Sequence, residues 1–216
     1  MPIKSHPEFR AAIFDLDGTL TDTRSIWKHL HEKFGTWNVG KRTAEMYESG
    51  LIDYAQWARL DAACWRDVAM SELLSALSDI RYTLGARETV EQLRSHRIRT
   101  GIVSAGLSVL ADKAKVDLNA DLAISNELKV SNGILTGDVE VRVGPGNKTS
   151  VIEEAAWLLG ADMQQTVVVG DNIFDIPGTA GLKIAFKPVT FQTKSAADVV
   201  IEDDDIRAII DHILQY

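Results

Sequence analysis

Short apolar runs recur along the chain, each closed by a polar or glycine-bearing segment. They cover residues 11–14, 100–103, 122–124, 166–169, 182–185 and 198–201. Runs of this length without alternation read as strands buried on both faces. Helical stripes lie between most of them: Val90 and Leu93 within 86–95, with similar spacing over 107–116 and 149–159. Ile206, Ile209, Ile210 and Ile213 mark a last helix over 206–214, with Asp204 or Asp205 as its cap. Strands alternating with helices predict right-handed βαβ units, and so an α/β fold with a doubly wound, mostly parallel sheet.

Two stretches break this alternation. Residues 23–84 show no strand but recurrent helical spacing, as in Tyr54, Trp57, Ala58, Leu60, Ala62 and Trp65. This is a helical insertion after the first strand, placed to sit over the strand ends like a lid. Four of the five tryptophans (Trp27, Trp37, Trp57, Trp65) fall in it and are read as its small core. Residues 127–143 read as a hairpin: Leu128-Lys129-Val130, a turn at Asn132-Gly133, then Ile134 and alternating Val139, Val141 and Val143. The expected division is therefore a core of 1–22 and 85–216 with an inserted helical unit at 23–84.

With 216 residues, 45% of them hydrophobic, the chain can bury a real core. Its net charge of −8 gives no basic footprint for nucleic acid, and no run approaches a membrane span. Cys64 is the sole cysteine, which forbids an intrachain disulfide, and residues 1–7 lack the apolar stretch of a signal peptide. A cytoplasmic protein, monomer or homodimer, is expected.

The candidate chemistry sits where strands end. The first strand runs into Asp15-Leu16-Asp17-Gly18-Thr19, and two carboxylates at such an edge suit metal binding and acid–base work. Ser104 follows the second run and precedes Ala105-Gly106 and a helix: either a phosphate site of hydroxyl and free N–H groups, or a plain helix cap. Lys148 stands in Gly144-Pro145-Gly146-Asn147-Lys148-Thr149 at a helix start. The P-loop pattern fails there, because Asn147 and Arg142 occupy positions that require glycine. Gly170-Asp171-Asn172-Ile173-Phe174-Asp175 puts two carboxylates four residues apart at a strand-to-helix junction. Strand ends are where a doubly wound sheet places its active site. No pair of the five histidines has metal-ligand spacing.

In that order, Asp-x-Asp-Gly-Thr, Ser, Lys and Gly-Asp-x-x-x-Asp resemble the haloacid dehalogenase superfamily of phosphatases, over nearly the whole chain. The insertion looks like that superfamily's small C1-type cap on a Rossmann-type core. Asn132-Gly133-Ile134-Leu135-Thr136-Gly137-Asp138-Val139 and Ala180-Gly181-Leu182-Lys183-Ile184-Ala185-Phe186 look like the phosphoserine phosphatase branch. The resemblance implies a Mg²⁺-dependent phosphatase of a small-molecule phosphate ester. Asp15 would be the nucleophile forming an aspartyl-phosphate, and Asp17 the acid and base. Ser104, with Ala105 and the N–H of Gly106, would hold phosphate oxygens, and Lys148 would neutralise charge. Asp15, Asp171 and the carbonyl of Asp17 would ligate Mg²⁺, while Asp175 would position Lys148 or a metal-bound water. A phosphotransferase or mutase, or an idle phospho-ligand binder, are the alternatives; the second aspartate disfavours dehalogenases.

The chain departs from that branch at three places. Arg24 stands where the branch has a glutamate near the substrate's amino group. Asp61 stands where an ungapped count puts the arginine for the substrate carboxylate, with Arg59 two residues earlier able to compensate. Phe174 replaces the asparagine before the last aspartate. Arg24 and Asp61 in those places invert the charges that would grip a zwitterionic amino acid.

Overall fold

The computed structural model describes residues 9–215; the segment read for a signal peptide lies outside the described residues. Seven strands form one sheet in the order β4-β3-β2-β1-β5-β6-β7. They are β1 (Ala11–Phe14), β2 (Arg99–Leu107), β3 (Leu122–Ser131), β4 (Ile134–Glu140), β5 (Thr166–Gly170), β6 (Leu182–Phe186) and β7 (Val199–Ile201). All neighbours are parallel except β3 and β4. β1 lies at the centre, with Phe14 paired to Ile102 on one side and Val169 on the other.

Both faces of β1 are buried, and its alternation sorts them. Ala12 and Phe14 join one hydrophobic cluster; Ala11 and Ile13 join the other. The first cluster takes in the helices α5 (Ala86–Ser95), α6 (Ser108–Leu118) and α9 (Ile210–Leu214), the second α7 (Lys148–Leu158). Helix α8 (Phe191–Ala196) links β6 to β7. Chain order runs outward from β1 through β2 to one edge and from β5 to the other. This reversal opens a crevice at the carboxyl ends of β1 and β5.

Four helices fill the stretch after β1: α1 (Ile26–Lys33), α2 (Trp37–Glu48), α3 (Tyr54–Ala63) and α4 (Met70–Ala76). The chain leaves and returns side by side, with Asp22 N–H donating to the Arg81 carbonyl and Thr83 N–H to that of Leu20. Trp65, fully buried, packs against Trp27, His31 and Phe34. The hairpin also holds this segment, through Asp67 N–H to the Leu135 carbonyl and Met70 N–H to that of Gly133. No helix among the described residues is long and apolar enough to cross a membrane.

Several elements differ from the sequence reading. The run at 122–124 and the first hairpin arm are one strand, β3, which pairs in parallel with β2 and then antiparallel with β4. Its polar middle, Ser125-Asn126-Glu127, marks that change of partner. Strand β2 continues past 103 through an irregularity, so that Leu107 still pairs with Asn126. The last helix begins as a 3-10 turn over Ile206–Ile209, with the Asp205 side chain accepting from Arg207 N–H.

Candidate active site

The end of β1 builds one wall of the crevice. Asp15 N–H still donates to the Val169 carbonyl, which fixes the backbone as though the strand continued. The chain then turns tightly, with the N–H groups of Thr19, Leu20 and Thr21 all on the Leu16 carbonyl. Gly18 sits at φ +85°, and a Cβ there would lie 2.6 Å from Asp171 Oδ2. Gly18→Ala therefore combines left-handed strain with a clash, and should cost about 1–3 kcal/mol of stability. Urea unfolding measures this; an unmoved midpoint would mean the turn has room.

Lys148, the first residue of α7, is only 4% exposed. Its Nζ lies 2.6 Å from Asp15 Oδ1 and 2.6 Å from Asp175 Oδ1. Lys148 is thus a buried cation and not a surface lysine. Asp175 accepts from Asn172 N–H through its other oxygen at 2.8 Å, so both its oxygens are engaged. It sits at the end of a single 3-10 turn over Ile173–Asp175. The expected helix there stops short because Pro177 follows, which disfavours helical backbone at the residue before it and lacks an N–H. Gly170 is needed beside it: Asp175 packs against its Cα where a Cβ would stand.

Ligand atoms of Asp15, Asp171 and Asp175, all buried, lie within 4.8 Å of one another. Burial above all raises Asp15 well above the usual carboxylate range; the Asp175 and Asp171 charges add to this and Lys148 opposes it. Asp171 is pushed up to about 7, mainly by burial and then by Asp175, against the pull of Arg24 and Lys148. Asp17 rises to about 6 through burial, against a 2.7 Å hydrogen bond from Ile26 N–H to its Oδ2. Its Oδ1 is buried without a hydrogen-bond partner.

These groups face a cavity of about 340 Å³ that Ser104, Ala105, Gly106 and Arg24 also line. Ser104 lies within β2, not at a helix N-terminus, because pairing with β3 carries the strand on to Leu107. The helix-cap reading does not describe it: its Oγ accepts from Gly106 N–H at 2.9 Å. The Ala105 carbonyl accepts from Trp27 Nε1, Tyr54 Oη and Asn126 Nδ2. Buried Asn126 also takes the N–H groups of Arg142 and Val143 on its Oδ1, which ties β2 to the loop that delivers Lys148.

The family model of the haloacid dehalogenase-like hydrolases matches residues 12–179, a span that includes every one of these groups. The chain belongs to that family. Among its relatives, the phosphoserine phosphatase of Methanocaldococcus jannaschii is 35% identical, over 93% of this chain and 96% of that protein. That of Archaeoglobus fulgidus is 31% identical over 83% of this chain, which spans only 53% of the relative's length. A solved substrate-bound phosphoserine phosphatase complex superposes with a TM-score of 0.82 at 30% identity, over 95% of this chain and 99% of that one. The hydrolase is thus a phosphoserine phosphatase-like phosphoric monoester hydrolase.

Two residues of the hydrolase's helical segment do not reach the cavity. On α3, Tyr54 and Trp57 face it, while Arg59, two residues on and about 200° further round the helix, is exposed elsewhere. Asp61 is buried among the helices, accepting from Thr43 Oγ1 at 2.5 Å and lying 3.2 Å from His31 Nε2. Half of the expected charge inversion therefore falls away. Arg24 does line the cavity, its guanidinium 3.4 Å from Asp171 Oδ2. Trp27 and Trp57 serve both as packing and as cavity wall, where only packing was expected. Asn126 carried no sequence signal, since its partners are far away along the chain. Tyr54 did carry one, sharing a helix face with Trp57 directly after the Asp53 cap.

Proposed function

We propose that this hydrolase is a Mg²⁺-dependent phosphatase that cleaves small phosphomonoesters through an aspartyl-phosphate on Asp15. The observation that carries this reading is the pairing of Asp15 with buried Lys148 at 2.6 Å, in a cavity that Asp17 also lines. An oxygen of Asp15 attacks phosphorus; the bond to the alcohol oxygen breaks, and Asp17 gives that oxygen its proton. Water then attacks the aspartyl-phosphate, Asp17 takes the proton back, and inorganic phosphate leaves with Asp15 restored. Lys148 stabilises the charge that builds on the phosphoryl group, and Ser104 holds one of its oxygens. A carboxyl raised to about 6 is poised to donate and accept at neutral pH.

The donor set fits Mg²⁺. It is all hard oxygen, and three converging buried carboxylates exceed the charge of Lys148. Asp175 is already spent on Lys148 and Asn172, which leaves Asp15, Asp171 and the Asp17 carbonyl to hold the ion. Bound there, Mg²⁺ would supply positive charge to the phosphoryl oxygens. Residues 23–84 act as a cap over the cavity, and 1–22 with 85–216 as the catalytic core. The paired entry and exit segments and the cavity-facing α3 support this division.

Phosphate release from a panel of phosphomonoesters, phosphoserine included, tests the reading with Mg²⁺ and with EDTA. Release that stops in EDTA and returns with added Mg²⁺ is expected. Equal release in EDTA, or none from any compound, would count against it.

A further inference from the structure

Beyond the hydrolytic groups, the cavity wall is aromatic. Trp27, Tyr47, Tyr54 and Trp57 line it from the helical segment and Phe174 from the core. The rings rest on one another: Tyr47 lies flat on Trp57, with centroids 5.1 Å apart and planes 9° apart. Tyr54 meets both edge-on at 6.0 and 5.6 Å, and Trp27 extends the row at 6.5 Å from Trp57. Rings stacked this closely leave no space between them for a cation enclosed by several faces. They present one continuous apolar surface. Phe174 reaches the same cavity while 47% exposed, an apolar area that a ligand would take out of water.

Of the remaining lining residues only Arg24 carries a charge; Ser25, Tyr47 and Asn172 are polar but uncharged. Arg24 is a half-exposed cation, and Trp57 Nε1 is buried without a hydrogen-bond partner. The Tyr54 hydroxyl is already committed to the Ala105 carbonyl. Every carboxylate among the described lining residues (Asp15, Asp17, Asp171, Asp175) belongs to the hydrolytic centre. An ammonium on the alcohol half of a substrate would lose its water with no anion to meet, which is costly.

We infer that the preferred substrate is a phosphomonoester whose alcohol carries a flat aromatic or heteroaromatic ring and an acceptor or anionic group, and no ammonium. The ring lies against the Trp57 wall and Phe174, and the acceptor meets Arg24. At about 340 Å³ the cavity is at the small end for ligand pockets, which suits one ring. This inference rests on the phosphatase reading above and names its substrate class.

The test compares kcat/KM, with Mg²⁺, for 4-carboxybenzyl, benzyl and ethyl phosphate, phosphoserine and phosphocholine. Benzyl phosphate should exceed both phosphoserine and ethyl phosphate by about tenfold, the scale of one aromatic contact, with the carboxybenzyl ester higher still. Trp57→Leu and Phe174→Ala should each lower the benzyl-to-ethyl ratio several-fold, and Arg24→Gln the carboxybenzyl-to-benzyl ratio. The exposure of Phe174 keeps its variant free of folding effects. Phosphoserine or phosphocholine matching benzyl phosphate, or ratios unmoved in Phe174→Ala, would overturn the inference while leaving the phosphatase reading intact. Failure of all five esters would overturn both.

Discussion

Asp15→Asn is expected to abolish turnover, lowering kcat by roughly 10⁴-fold or more, while the protein stays folded. The amide cannot form the acyl phosphate, and it pairs poorly with the Lys148 Nζ that lies 2.6 Å from Asp15 Oδ1. Stability should move little or rise in the metal-free protein. The substitution removes one of three crowded, buried carboxylates and leaves Lys148 its Asp175 partner. Acid-quench trapping of labelled phosphate on the protein, with thermal unfolding alongside, separates the two effects. Activity within about tenfold of the parent would sink Asp15 as the nucleophile. A variant inactive only because it is unfolded would show itself in the melting curve.

The sequence made the catalytic strand ends legible because their signals are local. Apolar runs four to five residues long end at Asp15 and at Gly170-Asp171, and buried parallel strands have that appearance. Lys148 could be placed at a helix start, but its burial could not, since that depends on Asp15 and Asp175 arriving from distant parts of the chain. Ser104 was misplaced for a related reason. A small-residue segment after the run at 100–103 looks like a strand end, yet pairing with β3 extends the strand. Asn126 shows the limit most clearly. From β3 one buried amide reaches Ala105 and the Arg142–Val143 backbone, and neither partner is near it in sequence.

The helical segment was legible in its character and not in its facing. Counting without gaps put Asp61 toward the substrate; the phase of α3 turns it inward to Thr43 and gives the cavity Tyr54 and Trp57. Helical phase follows the packing of the whole segment, including its hydrogen bonds to the β3–β4 hairpin, and no single motif announces it. The residues proposed to carry the chemistry have positions that follow from strand ends. The residues proposed to choose the substrate have positions that follow from packing.

Lys148→Met is expected to cut kcat by roughly 10²–10³-fold and to cost about 3–5 kcal/mol of stability in EDTA. Methionine fills similar space but leaves Asp15, Asp171 and Asp175 together with no buried counter-charge. Arg24 cannot replace the lysine, since its side chain is 58% exposed and reaches only Asp171. The carboxylates respond by holding protons, which sets the sign of the pH dependence. Burial already pushes Asp171 up to about 7 from an ordinary 3.8, so the folded state binds more protons than the unfolded one between those values. Stability carried by such a group falls as pH rises through that window. The variant should therefore be closest to the parent near about pH 5 and furthest from it near about pH 8. Adding Asp175→Asn should return part of the lost stability and none of the activity, because it relieves repulsion without restoring the cation. Urea unfolding of the parent, the single variants and the double variant at both pH values reads all of this directly. A Lys148→Met protein as stable as the parent near pH 8 would mean that the lysine does not hold the carboxylates together, and its role would shrink to the reacting phosphate alone.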